Sequence, residues 1–204
     1  MLEIRNDNIC DADKWKLENK LWGSEDYHIP VVSQVVYDEE GFIVKFTVEE
    51  SDPLREKKNH LEFVHEDSCV EFFANFLPET SEKYINFEVN ALGCMNVAFR
   101  SNRTDGVPLK IEEIENFHIH TEIEENFWRV TYKIGYDFIK RYYPEFDIDS
   151  CAYIRGNFYK CGNKTEMKHY LSYFKINLEQ PNFHCPGFFG NMYINKSNNA
   201  GDSN

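Results

Sequence analysis

Apolar residues in this chain recur at every second position in one segment after another, and a period of two belongs to extended strands, not to helices. Cys151 to Tyr173 shows it most clearly. Ala152, Ile154 and Phe158 fall on one side of an extended chain, with Tyr153, Arg155, Asn157 and Tyr159 on the other. After the turn signal Gly162-Asn163, His169, Leu171 and Tyr173 alternate with Tyr170, Ser172 and Phe174. Phe42, Val44, Phe46 and Val48 alternate with Ile43, Lys45 and Thr47, and Trp128, Val130, Tyr132 and Ile134 with Arg129, Thr131 and Lys133. Turn signals separate these runs, and one or two short helices interrupt them, chiefly Phe138 to Tyr143 with Asp137 as its cap. Strand after strand without βαβ alternation predicts an all-β fold, an antiparallel β-sandwich.

The chain has 204 residues, a length that suits one domain. Residues 1–194 read as that domain and 195–204, NKSNNAGDSN, as a flexible tail. The opening thirty residues read as a segment packed on the domain by Trp15 and Trp22, and the charged stretch 49–62 as a solvated connection. A formal net charge of -13 argues against nucleic acid or an anionic membrane as partner. No apolar run approaches the ~20 residues of a membrane helix. Without a secretory leader the expected address is cytoplasmic, or secreted if a leader has been trimmed away. The six cysteines form no CxxC pair and read as free thiols, with Cys69 and Cys151 near the core.

Two strands carry chemistry beyond packing. In DSCVEFF (67–73), Val70 and Phe72 alternate with Cys69, Glu71 and Phe73, so the strand reads as central and covered on both sides. Glu71 then needs a hydrogen-bonding partner. In YINFEVN (84–90), Asn86 and Glu88 share a polar face of the same character as the Arg155–Asn157 face. If the strands share a sheet, their carboxylates and guanidinium form either an internal ion network or a set of groups around ligand hydroxyls.

DSCVEFF, YINFEVN, RGNFYKCG (155–162), HYLSY (169–173) and FHCPGFFG (183–190) together resemble the family 9 carbohydrate-binding modules, in the branch found as free-standing domains. The likeness spans about Val31 to Gly190. It implies a jelly-roll sandwich that binds sugar without cleaving it, the ring clamped between two aromatic side chains. Carried over, the clamp positions are His65 and Tyr173, where relatives have Trp, and Glu71 is the hydroxyl-binding carboxylate. With Asn86, Glu88, Arg155, Asn157 and His169 these make the expected ligand set.

Other readings of the same residues remain in view. Glu71 and Glu88 together suit a glycoside hydrolase. A scaffold domain that has kept the fold and lost the sugar is the reading from another class. His118-x-His120-x-Glu122 offers metal ligands on one strand face, and Met95 and Met167 are available to a haem. Relatives hold a structural calcium, whose ligands here stay unassigned. Otherwise no cofactor or metal is expected, and carbohydrate is the expected partner. Lys160, on the face opposite the ligand candidates, is expected in solvent, and His184 is as readily a structural hydrogen-bonder as a ligand.

Overall fold

The computed structural model describes residues 2–196. Of the expected tail, residues 197–204 lie outside the described residues. The alternating segments form strands: β1 Leu2–Asn6, β2 Trp15–Lys16, β3 Asn19–Lys20, β4 Val31–Tyr37, β5 Gly41–Val48, β6 Cys69–Asn75, β7 Tyr84–Asn90, β8 Met95–Arg100, β9 Val107–Pro108, β10 His120–Ile123, β11 Trp128–Gly135, β12 Tyr153–Gly162, β13 His169–Ser172 and β14 Gly190–Asn195. Two short helices interrupt them, α1 Ile111–Ile114 and α2 Tyr136–Tyr142. Gly135, not Asp137, is the N-cap of α2, and Asp137 sits in its first turn, where a carboxylate still favours the positive end of the helix dipole.

The strands join edge to edge in the order β10-β11-β5-β4-β1-β14-β12-β6-β7-β8-β9, with β13 on β12, β3 on β13 and β2 on β4. The sheet curls into two layers. Phe46 of β5 meets Phe158 of β12 with ring centroids 5.9 Å apart, and Tyr132 of β11 meets Phe87 of β7 at 6.1 Å. Pairing is antiparallel except at the crossing point, where β1 runs parallel to both β14 and β4. The sandwich is therefore mixed at one strand, which no alternation pattern can signal.

Between the layers lies the larger core, whose centre is a stack of Phe72 on Phe158 (4.7 Å, 10°) with Phe87 behind it. Trp15 packs on Phe158 from the opening segment at 5.5 Å. A second apolar cluster covers the outer face of β6, β7 and β12, made of Cys69, Phe73, Tyr84, Tyr159 and Cys161 with Leu21, Tyr170, Phe183 and Phe189 laid over them. The central strands are thus buried on both faces, as the two apolar sets of β6 require.

Double coverage overturns the exposure expected of Lys160. Its side chain points into the sandwich and is wholly buried. The ammonium donates to the Cys161 carbonyl at 3.0 Å and contacts His169 Nε2 at 2.7 Å, with Glu50 Oε2 at 3.8 Å. Glu50 in turn accepts from Trp128 Nε1 and Ser68 Oγ. The 49–62 stretch therefore dips into the structure at Glu50 to partner a buried cation, as burying a charge demands.

Phe158→Ala removes the ring on which Phe72, Trp15 and Phe46 converge, and lowers the unfolding free energy by about 3–5 kcal/mol. The urea midpoint at unchanged m measures it. A loss under about 1 kcal/mol would mean that the two layers do not meet there.

Candidate functional site

Strand register decides which side chains share the outer face. Glu71 lies between Tyr159 on β12 and Glu88 on β7, and Glu88 pairs with Asn96 and Tyr84 with Arg100 on β8. Glu71, Glu88, Asn96 and Arg100 therefore project to one side. The second apolar cluster covers that side incompletely. Over the carboxylates it leaves a cleft of about 310 Å³, lined also by Trp22, Phe63, His65, Arg103, Cys161, Asn163, Tyr170, Phe183 and His184. That volume is at the low end of ligand-sized pockets.

One aromatic group lines the cleft as a unit. Trp22 packs on Tyr170 and on Phe183, each at 5.6 Å, and Phe183 stacks on Tyr159 at 4.2 Å. Trp22 Nε1 donates to the Leu178 carbonyl at 2.7 Å. The tryptophan holds a left-handed backbone (φ 49°) immediately before Gly23 (φ 84°). Such a conformation costs a bulky residue on the order of 1–3 kcal/mol and persists where the surroundings impose it. Phe63 and His65, 5.7 Å apart, form a second aromatic pair at the cleft.

The polar floor is buried. The Cys161 thiol donates to Glu71 Oε1 at 3.0 Å. Burial pushes the Glu71 carboxyl well above its ordinary value, and the neighbouring Cys161 and Glu88 push the same way, which favours the protonated form. Burial opposes ionisation of Glu88 too, but His65, His184 and Asn96 outweigh it and hold that carboxyl below the usual value. Asn86 Nδ2 donates to Glu88 Oε1 at 2.8 Å, Asn96 Nδ2 to Oε2 at 3.2 Å, and His65 Nδ1 lies 3.7 Å from Oε2. Two carboxyls on one face thus differ in role, one able to donate and accept and the other an anion. His184 stacks on Phe73 at 4.8 Å with Nδ1 3.0 Å from the Tyr84 hydroxyl, and burial pushes it down to about 4.

Of the expected ligand set, His65, Glu71 and Glu88 come together here, with Asn86 directly behind Glu88. The other four lie elsewhere. Arg155 Nη2 donates to the Phe189 carbonyl at 2.9 Å and latches the closing loop. Asn157 exchanges two hydrogen bonds of 2.9 Å with the Phe174 backbone. His169 stacks on Tyr27 at 3.8 Å beside Lys160. Tyr173 packs edge-on against Phe158 and Phe174. For His169 and Tyr173 the reason is register: Ser172 sits opposite Tyr159 and Tyr170 opposite Cys161, so Tyr170 takes the cleft side and His169 and Tyr173 the core side. Arg100, Arg103, Asn163, Tyr170 and Trp22 are cleft residues that sequence reasoning left out. The sequence alone gives Trp22 a packing role, although the Trp22-Gly23 pair is a turn signal.

The other proposals for ligation fare differently. His120 is exposed on the edge strand and Glu122 pairs with Arg129 at 2.6 Å, while Met95 is buried in the main core and Met167 is exposed. Among the described residues, the group of potential metal ligands drawn together is Cys69, Glu71 and Cys161, a sulfur-rich set unlike calcium's oxygen ligands. A larger cleft of about 860 Å³ beside His169 is lined by Asp26, Glu49, Glu50, Asp52, Glu56 and Glu166. His28, Arg55, Thr165 and Tyr27, which stacks on His169, also line it, so it differs from the cleft over Glu71 in its excess of carboxylates rather than in lacking rings or donors.

Comparisons with known proteins point to the same function class. The sequence pattern described as Carbohydrate-binding family 9 matches residues 6–194. A search of curated proteins finds no match. A candidate carbohydrate-binding protein from Bacteroides uniformis superposes with a TM-score of 0.78 at 25% identity, over 90% of this chain and 87% of that one. A family 9 module from Caldicellulosiruptor kristjanssonii, solved with cellotriose, gives a TM-score of 0.65 at 13% identity over 98% and 92% of the two chains. The same organism's module with glucose gives 0.65 at 11%, over 98% and 94%; at these identities the likeness is one of fold.

Because His184 is held near 4 against an ordinary 6.5, the unfolded chain takes up its proton at higher pH than the folded one. The stability that neutral His184 contributes is present above pH 6.5 and is lost as pH falls towards about 4. Wild-type unfolding free energy should therefore fall more steeply across that window than that of His184→Gln. Parallel curves would show His184 to be solvated.

Proposed function

This chain belongs to carbohydrate-binding family 9, and on that premise we propose that it binds a sugar, without cleaving it, in the cleft over Glu71 and Glu88. Sugar recognition needs an apolar ring surface for the C–H face and planar polar groups that donate and accept around the hydroxyls. Trp22 with Tyr170 and Phe63 with His65 supply the first. Glu71, Glu88, Asn96 and Asn163 supply the second, most of them from strands, which hold side chains more rigidly than loops.

The observation that carries the reading is unmet hydrogen-bonding capacity at the cleft. Asn163 Oδ1 and Arg100 Nε, one acceptor and one donor, are both buried without a partner among the described residues. Such orphans are costly and call for a partner. A hydroxyl both donates and accepts, so a polyol suits the pair. Hydrolysis fits less well. A glycosidase needs two carboxyls facing the scissile bond with room for water or a leaving group. Here Glu71 and Glu88 are 3% and 4% exposed, the one under the Cys161 thiol and the other held by two asparagines. Binding alone asks for no such room.

In isothermal titration against a panel of mono- and disaccharides, wild type binds and Trp22→Ala weakens association about 3- to 10-fold, the loss of one stacking partner. Tyr173→Ala, away from the cleft, leaves affinity unchanged. The opposite pattern would put the site on the Tyr173 side. Binding to none of the panel would favour an interaction domain that has kept the fold alone.

A further inference from the structure

The chain carries 35 acidic residues against 22 basic ones, so an arginine finds a carboxylate easily. Arg5, Arg55, Arg129 and Arg141 each do, while Arg155 is spent on the Pro186 and Phe189 carbonyls of the closing loop. Arg100 and Arg103, the two that line the cleft, do not: neither enters an ion pair among the described residues. Arg100 Nη1 donates to the Arg103 carbonyl at 3.0 Å, and Arg103 Nη1 to the Pro181 carbonyl at 3.3 Å. Arg100 Nε is buried with no acceptor. The nearby carboxylate of their own loop, Asp105, is turned onto the amides of Ser101 and Asn102. Glu88 is taken up by Asn86, Asn96 and His65, and Glu71 by the Cys161 thiol.

Two guanidiniums whose hydrogen bonds go only to carbonyls, at a cleft in a strongly anionic protein, offer donors that no carboxylate of the described residues takes up. Guanidinium recognises a planar carboxylate through paired, charge-assisted hydrogen bonds. We propose that the sugar held in this cleft bears a carboxylate, seated against Arg100 and Arg103, so that the site selects uronic acids over neutral hexoses. This rests on the sugar-binding reading above and specifies its ligand. A phosphate is the rival anion for the same two guanidiniums, and glucose 6-phosphate represents it in the test. Arg103 is exposed, so its charge stands at the rim of the cleft that Trp22 and Tyr170 also line.

Titration of the full chain with glucuronate, galacturonate, their neutral hexoses, glucose 6-phosphate and acetate tests the proposal at low and high salt. Uronates bind about tenfold tighter than the matching neutral sugars, the worth of one charge-assisted contact. That advantage shrinks as salt is raised, and Arg103→Gln, whose far-ultraviolet circular dichroism should match wild type, lowers the uronate-to-neutral ratio. Equal affinity for uronates and neutral sugars overturns the acid preference and leaves sugar binding standing. Tighter binding of glucose 6-phosphate than of glucuronate, or of acetate as tightly as either uronate, overturns the carboxylate-sugar assignment. Binding of no sugar overturns both readings.

Discussion

A polar side chain in a sheet buried on both faces is costly wherever it lacks a partner, and the three central strands of this sandwich are buried on both faces. On the inner side Phe72, Phe87 and Phe158 pack against the opposite layer. On the outer side Tyr170, Phe183 and Phe189 close over Phe73, Tyr84 and Tyr159. Glu71, Asn86 and Glu88 stand on that outer side in the middle of an apolar layer. Their hydrogen bonds, the displaced ionisation of the two carboxyls and the incompleteness of the aromatic cover all follow from this placement. The cleft exists because the second apolar layer stops short of groups that an apolar layer cannot satisfy.

The same constraint accounts for Lys160. A charged residue in the inner core is costly unless paired, and this one is met by a carbonyl, by His169 and, at longer range, by Glu50. Burial and the neighbouring ammonium push His169 down to about 3, so it meets the lysine as a neutral acceptor. Polar groups on the two sides of the central sheet thus serve different ends. Those on the inner side tie the 49–62 connection and the opening segment to the core, and those on the outer side line a cleft.

Much of this was legible in the alternation. The fold class, the central position of β6 and the polar face of β7 follow from a period of two, and so does the prominence of Glu71 and Glu88. The pairing of those two strands enters the sequence reading only as a condition and is given by the fold. What alternation leaves open is which of its two sets faces which layer, because that is fixed by register between strands far apart in sequence. Tyr173 and Tyr170 exchange places on that account alone, and His169 follows Tyr173. Arg155 and Asn157 do share the outer face, as read, but they lie further along β12, where backbone carbonyls and amides of the closing segments consume their hydrogen bonds. Arg100 and Trp22 come from segments with no motif of their own. Only the fold brings them to the carboxylates.

The central claim is a location: the ligand lies over Glu71 and Glu88 beside Trp22 and Tyr170. A crystal structure of the chain soaked with a sugar that binds in solution tests it directly. The account predicts a pyranose ring against Trp22 or Tyr170 with hydroxyls within hydrogen-bonding distance of Glu71, Glu88 or Asn163. A ring seated instead beside Tyr173, or in the acidic cleft by His169, would contradict it.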